Sequence, residues 1–211
     1  MSTTTAAIVL AAGRSSRMGQ GQHKLLLPLG DRPVLAHVVE TVLASQARPL
    51  VVILGYQAEQ VRTMLTPYAS KLTSINNPDY QQGMSTSLCK GIETLMSFYP
   101  DVNGALIVLG DQPLMTSRIL DSMIETKQVT GKRIITARYQ GKRGNPTLFD
   151  ASLFPELMEM TGDEGGRKVL ERYRQEIAIL DMRDDTPNYD VDTLEAYQQV
   201  VKIWEGRTRY F

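Results

Sequence analysis

Three short runs of uninterrupted apolar residues constrain the fold of this chain more than any other feature of its sequence. They are residues 6–10 (AAIVL), 50–54 (LVVIL) and 105–109 (ALIVL). Strands without a polar face are typical of a parallel sheet that is covered on both sides. After the first run, Val34-Leu35, Val38-Val39 and Val42-Leu43 recur at helical spacing and predict an amphipathic helix. We therefore expect an α/β fold: a single-domain, Rossmann-like, mostly parallel twisted sheet with helices on both faces.

Later elements are predicted from turn residues and helix-cap residues. Thr116 resembles the N-cap of a helix, because its hydroxyl can bond the first free backbone N–H groups. Residues 134–137 and 147–149 are predicted strands that flank a loop at 141–146. No linker and no internal repeat divides the sequence. One domain is expected over residues 1–205, followed by a C-terminal tail at 206–211.

Charge and cysteine content exclude several classes of function. The 211 residues include 23 basic and 23 acidic side chains, so the formal net charge is zero. No long-range attraction to nucleic acid or to an anionic membrane is expected. Cys89 is the only cysteine, which excludes an intrachain disulfide and agrees with a reducing cytoplasm. No apolar run approaches the roughly 20 residues of a membrane span, and we expect a cytoplasmic protein.

The loop after the first apolar run is the first candidate binding site, because ligands of open parallel sheets bind beyond the carboxyl ends of the strands. It reads Leu10-Ala-Ala-Gly-Arg-Ser-Ser-Arg-Met-Gly19, and Lys24 follows. Backbone N–H groups, two hydroxyls and three cations could bind polyphosphate oxygens there. The loop lacks the Gly-Lys-Ser/Thr of a P-loop and the third glycine of a dinucleotide fingerprint. By composition alone, a solvated surface loop is an equally good interpretation.

Carboxylates form the second candidate site. Asp111 follows the third apolar run, and Asp190 and Asp192 flank Val191, so their side chains share a face in extended backbone. Mg²⁺ prefers a few carboxylates together with substrate phosphates. Two structural interpretations stay open: Asp111 as a turn residue, and Asp192 as a helix N-cap with Glu195 completing a capping box. We interpret His23, His37 and Cys89 as structural residues.

Taken together, these elements resemble the molybdenum cofactor cytidylyltransferases, which belong to the broader molybdopterin nucleotidyltransferase-like NTP transferases. The resemblance runs in order from about residue 6 to residue 200 and extends to these motifs: Lys24-Leu-Leu-Leu-Pro28, Gly83-Met-Ser-Thr-Ser-Leu88, Gly110-Asp-Gln-Pro113, Gly144-Asn-Pro146, Gly162-Asp-Glu-Gly-Gly-Arg167 and Asp190-Val-Asp192. The Gly-Asp-Gln-Pro element and the two later glycine motifs point to the cytidylyl branch. The resemblance implies a fold of the nucleotide-diphospho-sugar transferase type.

The resemblance also implies a reaction. CMP would pass from CTP to the phosphate of molybdenum-bound molybdopterin with Mg²⁺, giving pyrophosphate and molybdopterin cytosine dinucleotide, which a molybdoenzyme would receive. It assigns catalysis to Arg17, Lys24 and Asp111, and metal binding to Asp111 with Asp190 or Asp192 completing the ligands. It assigns nucleotide binding to Leu10, Ala11, Ala12, Gly13, Arg14, Ser15, Ser85, Ser87 and Asp111. It assigns acceptor binding to Gly144, Asn145, Pro146, Asp163 and Arg167.

Two other functions remain open from the sequence. One is guanylyl or cytidylyl transfer to another phosphorylated acceptor, such as a sugar or alcohol phosphate. The other is non-catalytic delivery of the cofactor to a molybdoenzyme. The chain also departs from the family in one respect, because residues 20–23 make the loop before Lys24 longer than usual. The position of Lys24 relative to the phosphates is therefore left open.

Overall fold

A seven-stranded sheet organises the computed structural model, which describes residues 4–18, 23–162 and 166–208. A separate two-stranded hairpin lies beside it. In chain order the strands are β1 (Thr4–Ala11), β2 (Pro28–Leu29), β3 (Arg32–Pro33), β4 (Leu50–Leu54), β5 (Thr73–Asn76), β6 (Val102–Leu109), β7 (Ile134–Tyr139), β8 (Lys142–Asp150) and β9 (Ile177–Met182). The large sheet has the order β5-β4-β1-β6-β8-β7-β9.

Helices cover both faces of this sheet. They are α1 (Val34–Ala44), α2 (Ala58–Met64), α3 (Met84–Phe98), α4 (Ser117–Thr130), α5 (Phe154–Met158), α6 (Arg167–Arg172) and α7 (Leu194–Thr208). Successive strand residues point to opposite faces, so Val9 packs in a core with α1 and α4, whereas Ile8 packs in a core with α3 and α5. The predicted α/β architecture is confirmed. None of the helices in the described ranges has the length and apolar character needed to cross a bilayer.

Strand β8 is the departure from a parallel sheet. It runs antiparallel to both β6 and β7, whereas the other neighbouring strands pair in parallel. The turn between β7 and β8 is short, and both Gln140 and Gly141 have positive φ, at 47° and 79°. Such a turn matches the twist of a hairpin.

The predicted loop at 141–146 is therefore wrong over most of its length, because Lys142 begins β8. Pro146 favoured a loop in the prediction, because proline is rare inside a strand. The register of β8 shifts so that Thr136 pairs with Thr147 while Ala137 pairs with Gly144. Asn145 and Pro146 are left without partners on β7, and an irregularity of this kind is where a strand tolerates proline.

One predicted helix cap is confirmed in position, and one alternative that the sequence left open is excluded. Thr116 occupies the N-cap position of α4, but its side chain makes no capping hydrogen bond. The N-cap of α7 is Thr193 rather than Asp192, since the Ala196 N–H donates to Thr193 Oγ1 at 3.2 Å. Asp192 is thereby free for another contact.

Helix α7 packs on the β2–β3 hairpin rather than on the large sheet. Val200 joins Leu29, Val34 and Val191 in a third buried cluster. The Trp204 ring lies over Gly30, where a Cβ would come within 2.1 Å of it. The predicted tail at 206–211 starts too early, because α7 continues to Thr208 and Arg207 donates to the Leu114 carbonyl at 3.1 Å.

Candidate active site

The carboxyl ends of β1, β4 and β6 meet at one edge of the sheet. Leu10 pairs with Ile53 on one side and with Leu109 on the other. Beyond the strands, the Gly110 N–H donates to the Leu10 carbonyl at 2.9 Å, and the Tyr56 N–H donates to the Ala12 carbonyl at 3.2 Å. The three loops that follow these strands are therefore fixed to one another by backbone hydrogen bonds.

A cluster of three charged side chains lies at this edge. The Lys24 ammonium donates to the Asp111 carboxylate and to Asp192 Oδ1, the latter at 2.6 Å. Burial alone would lower the pKa of Lys24, but Asp111 and Asp192 outweigh it and raise the pKa above its usual value. The Lys24 and Asp111 side chains are 12% and 14% exposed, so water screens their interaction only weakly. We call Lys24, Asp111 and Asp192 the ammonium cluster.

Arg17 extends the ammonium cluster toward solvent. Its guanidinium donates to Asp192 Oδ2 at 3.0 Å and is largely exposed. Burial would raise the pKa of Asp192, but Lys24 and Arg17 lower it below its usual value. The three residues predicted to be catalytic, Arg17, Lys24 and Asp111, thus lie in one connected group.

Backbone hydrogen bonds hold the cluster in place. Ser15, in the left-handed region at φ 55°, accepts from the Lys24 N–H through its Oγ at 3.0 Å. The Val191 N–H donates to the Asp111 carbonyl at 2.9 Å, so the segment before α7 is joined to the end of β6. Ser15 therefore positions Lys24, and its predicted role in nucleotide binding stays a prediction.

His23 fixes the start of the segment that carries Lys24. The Leu25 N–H donates to His23 Nδ1 at 3.3 Å, so the ring carries its proton on Nε2, which donates to the Tyr56 carbonyl at 3.0 Å. Burial lowers the pKa of this ring. The interpretation of His23 as a structural residue is confirmed. Residues 19–22 of the longer loop lie outside the described residues.

Asp190 lies beside the ammonium cluster, and its hydrogen bond is to a different residue. Its Oδ1 accepts from Gln112 Nε2 at 2.7 Å, and burial together with the charge of Asp111 raises its pKa to about 6. Gln112 is almost fully buried and was not singled out from the sequence. Its place in the Gly110-Asp-Gln-Pro113 motif was the available signal.

Metal binding by Asp111, with Asp190 or Asp192 completing the ligands, stays a prediction. Within the described ranges, no group of three or more His, Cys, Asp or Glu side chains could hold a metal ion. Instead Asp111 and Asp192 share one cation, the Lys24 ammonium, while Asp190 faces Gln112. Mg²⁺ is commonly bound by one or two carboxylates together with substrate phosphates. Asp111 and Asp192 therefore fit a divalent ion, provided that Lys24 withdraws.

A cavity of about 380 Å³ extends from the ammonium cluster over the first loop, and we call it the first cavity. The predicted nucleotide-binding residues that line it are Leu10, Ala11, Ala12, Gly13, Arg14, Ser87 and Asp111. Ser85 does not line it, since its side chain is fully buried on α3. Tyr80 and Gln81, which follow the Asn76-Asn77-Pro78 turn, were missed by the sequence analysis.

The second cavity, of about 280 Å³, shares Leu10, Met84 and Leu109 with the first. Its walls include three of the predicted acceptor residues, Gly144, Asn145 and Arg167. Pro146 is buried in β8 and does not line it, and Asp163 lies outside the described residues.

The third cavity, of about 450 Å³, lies on the other side of Arg143. It is bordered by Tyr139, Lys142, Asp190 and Asp192. Arg143 belongs to both the second and the third cavity and was also missed by the sequence analysis. Its position directly before the Gly144-Asn-Pro146 motif was the available signal.

Two relatives are similar to this chain over nearly its whole length. Nicotine blue oxidoreductase of Paenarthrobacter nicotinovorans is 30% identical over 198 residues, covering 89% of this chain and 92% of the relative. Purine catabolism protein PucB of Bacillus subtilis is 28% identical, covering 92% of this chain and 94% of the relative.

Solved structures give the same result. The crystal structure of Rv0371c from Mycobacterium tuberculosis has a TM-score of 0.79 at 27% identity and covers 96% of this chain and 99% of its own. A complex of that protein with manganese has a TM-score of 0.75 at 26% identity, covering 95% and 99%. The expected NTP transferase fold is confirmed. The MobA-like NTP transferase domain model matches residues 7–177, and the chain belongs to this family.

Proposed function

We propose that this chain transfers CMP from CTP to the phosphate of molybdenum-bound molybdopterin, releasing pyrophosphate and forming molybdopterin cytosine dinucleotide. The observation that carries the proposal is the position of the ammonium cluster. Lys24 and Asp111 line the first cavity, and Asp192 lines the third. A nucleotide in the first cavity and an acceptor phosphate in the third would therefore meet at this cluster. The family membership supports nucleotidyl transfer as the type of reaction.

The reaction requires positioning and charge neutralisation rather than a nucleophilic side chain. An oxygen of the acceptor phosphate attacks the α-phosphorus of CTP, and the bond from that phosphorus to the pyrophosphate oxygen breaks in line. Arg14, Arg17 and Lys24 would bind the triphosphate and stabilise the charge of the departing pyrophosphate. A phosphate monoester is already ionised near neutral pH, so no general base is required.

Mg²⁺ is part of this proposal, with Asp111 and Asp192 as its protein ligands. When bound, the ion would neutralise phosphate oxygens next to the bond that breaks. Lys24 would then leave the two carboxylates and bind the triphosphate. Gln112 would keep Asp190 oriented beside this site through their hydrogen bond.

The choice of CTP rests on the resemblance of the Gly-Asp-Gln-Pro element and the two later glycine motifs to the cytidylyl branch. It is tested by incubating the protein with each of the four NTPs, Mg²⁺ and molybdenum-loaded molybdopterin, and by measuring pyrophosphate and the dinucleotide product. Product formation with GTP but not with CTP would overturn the nucleotide assignment. Parallel reactions with sugar and alcohol phosphates test the alternative acceptors.

Two further arms test functions of a different class. One relative is named an oxidoreductase, so reduced nicotinamide cofactors are added with the same acceptor and their absorbance is followed.

Asp111→Ala distinguishes catalysis from cofactor delivery, because it should abolish pyrophosphate release while circular dichroism stays unchanged. The matched control is Asp101→Ala, since Asp101 is exposed at the opposite end of β6. Full activity of Asp111→Ala would remove Asp111 from the catalytic site, whereas no pyrophosphate release by wild type would favour delivery. The predicted cytoplasmic location and the molybdoenzyme recipient also remain part of this proposal.

A further inference from the structure

Arg143 is the cation that borders both the second and the third cavity. It lies on β8 directly before Gly144, and its side chain is exposed. Among the residues that the structure describes, no carboxylate lies within ion-pair distance of Arg143. Lys24 and Arg17 contact Asp192 and Arg167 contacts Glu171, so these three cations already have an anionic partner.

Arg143 and the arginine opposite it on β7 differ in whether a carboxylate neutralises their charge. Arg143 pairs directly across the antiparallel ladder with Arg138 of β7. Like charges at opposed positions destabilise a sheet. The charge of Arg138 is neutralised by Asp181 on β9, with both carboxylate oxygens accepting hydrogen bonds. Arg143 has no equivalent partner among the described residues, so a bound anion would complete this arrangement.

The backbone that carries Arg143 packs closely against the segment that carries Asp190. A Cβ on Gly144 would lie 2.6 Å from Asn188 Oδ1 and 3.0 Å from the Tyr139 ring, which shows how closely these groups pack. The Tyr139 hydroxyl donates to the Asn145 carbonyl at 2.9 Å. The guanidinium therefore projects from a fixed base at the junction of the two cavities.

The walls of the second cavity are largely apolar, whereas Arg143 at its edge is charged. Its walls include the apolar side chains of Leu10, Leu88, Ile107, Phe149 and Leu170. Such walls suit a flat, partly apolar body and offer little to a hydrated sugar. The arginine is at the side that faces the third cavity, where Asp190 and Asp192 lie.

We propose that Arg143 binds the phosphate of the acceptor, and that the acceptor is a phosphate monoester whose flat heterocyclic body occupies the second cavity. The guanidinium fork suits two phosphate oxygens at once. It would hold the attacking phosphate beside the ammonium cluster. This inference rests on the proposed function, because it assigns the acceptor side of the same site.

Three variants test it in the transfer reaction: Arg143→Gln, Arg143→Lys and, as the matched control, Arg138→Gln. Losing a charge-assisted contact should raise the KM for the acceptor about tenfold or more in Arg143→Gln. The KM for CTP should stay within about twofold of the wild-type value. Arg143→Lys should give an intermediate acceptor KM, and Arg138→Gln the wild-type one. An unchanged acceptor KM in Arg143→Gln, or an equal rise in both KM values, would overturn the inference.

A binding measurement without CTP separates this inference from the proposed function. The probe is methylumbelliferyl phosphate, a flat heterocyclic phosphate monoester, compared by fluorescence with methylumbelliferone, which lacks the phosphate. Wild type and Arg138→Gln should prefer the phosphorylated probe, and Arg143→Gln should lose that preference. Equal binding of the two probes by wild type, or a preference that survives in Arg143→Gln, would contradict the role of Arg143. If wild type prefers the phosphate ester but transfers no CMP to molybdopterin, the proposed function fails and the inference stands.

Discussion

Replacing Lys24 by Met removes the cation that Asp111 and Asp192 share, and two consequences of opposite sign are expected. The protein without metal should lose stability, because two nearby carboxylates are left without their common partner. The same variant should bind Mg²⁺ more tightly than wild type, because the ion no longer competes with the ammonium. Methionine keeps much of the lysine stem, so packing changes little.

The size of the first effect follows from burial. Removing one partner of a fully buried ion pair costs about 3–5 kcal/mol. Lys24 and Asp111 are 12% and 14% exposed, but Asp192 is 41% exposed and interacts in part with water. We therefore expect a loss of about 2–3 kcal/mol, reduced from the buried value by solvent screening. For a domain of this length, that corresponds to a fall of about 5–10 °C in Tm.

The second effect is measured by titrating Mg²⁺ or Mn²⁺ during thermal unfolding, without nucleotide. An ion that binds only the folded state raises Tm with its concentration. The metal Kd, obtained from that dependence, should be roughly tenfold or more lower in Lys24→Met. Lys90→Met is the control, since Lys90 forms an exposed pair with Glu93. Its Tm and its metal response should match wild type.

Two results would refute this reasoning. One is an unchanged Tm for Lys24→Met without metal, which would mean that the ammonium does not stabilise the two carboxylates. The other is a metal response no larger than that of wild type. In that case Asp111 and Asp192 would not be the pair that receives the ion.

Three other substitutions have expected outcomes that the structure fixes. The His23 pKa is lowered from 6.5, so wild type should lose stability as pH falls below about 6.5. His23→Gln should flatten this pH dependence of stability, which urea unfolding across that range measures. Gly55→Ala would place a Cβ 2.7 Å from that of Ala12, so we expect about 1–3 kcal/mol of destabilisation and a higher KM for CTP. Arg17→Gln should slow pyrophosphate release but change the free energy of unfolding by under about 0.5 kcal/mol, since Arg17 is 70% exposed.

Each of these outcomes has a control or a contradicting result. For Gly55→Ala the control is Gly206→Ala on α7, where a Cβ meets nothing within 4 Å and helix propensity should raise stability slightly. A wild-type pH profile in His23→Gln would contradict the neutral ring described above. A wild-type rate in Arg17→Gln would remove Arg17 from the triphosphate site.

Much of the fold was predictable because burial on both faces determines the sequence of its central strands. Buried strands of a parallel sheet must be apolar on both faces, so residues 6–10, 50–54 and 105–109 were recognisable from composition alone. Strand β8 was not, because its amino-terminal half carries Lys142, Arg143 and a proline. Those residues are tolerated only because β8 has an irregularity opposite β7 at that point. An irregularity in pairing is a property of two strands and leaves little trace in the sequence of one.

The site was predictable in its membership but less so in its contacts. Lys24, Asp111 and Asp192 were all named from motifs, yet nothing in their spacing indicates that one ammonium lies between two carboxylates. That arrangement depends on the Val191–Asp111 backbone hydrogen bond and on Thr193 capping α7 in place of Asp192. Arg143 was missed for a related reason, because an arginine becomes informative only when its neighbours are known to lack an anion for it.

The hydrogen bond from Lys24 to Asp192 joins residues that are 168 positions apart in the chain. During synthesis, the first loop and Asp111 therefore leave the ribosome long before their remaining partner. An incomplete chain that ends after β9 would contain the lysine and one carboxylate, but not the segment that brings the other. We expect such a nascent chain to have an incomplete ammonium cluster. Transfer activity should begin only when α7 docks on the β2–β3 hairpin. We expect the onset of activity to be set by translation as well as by the fold.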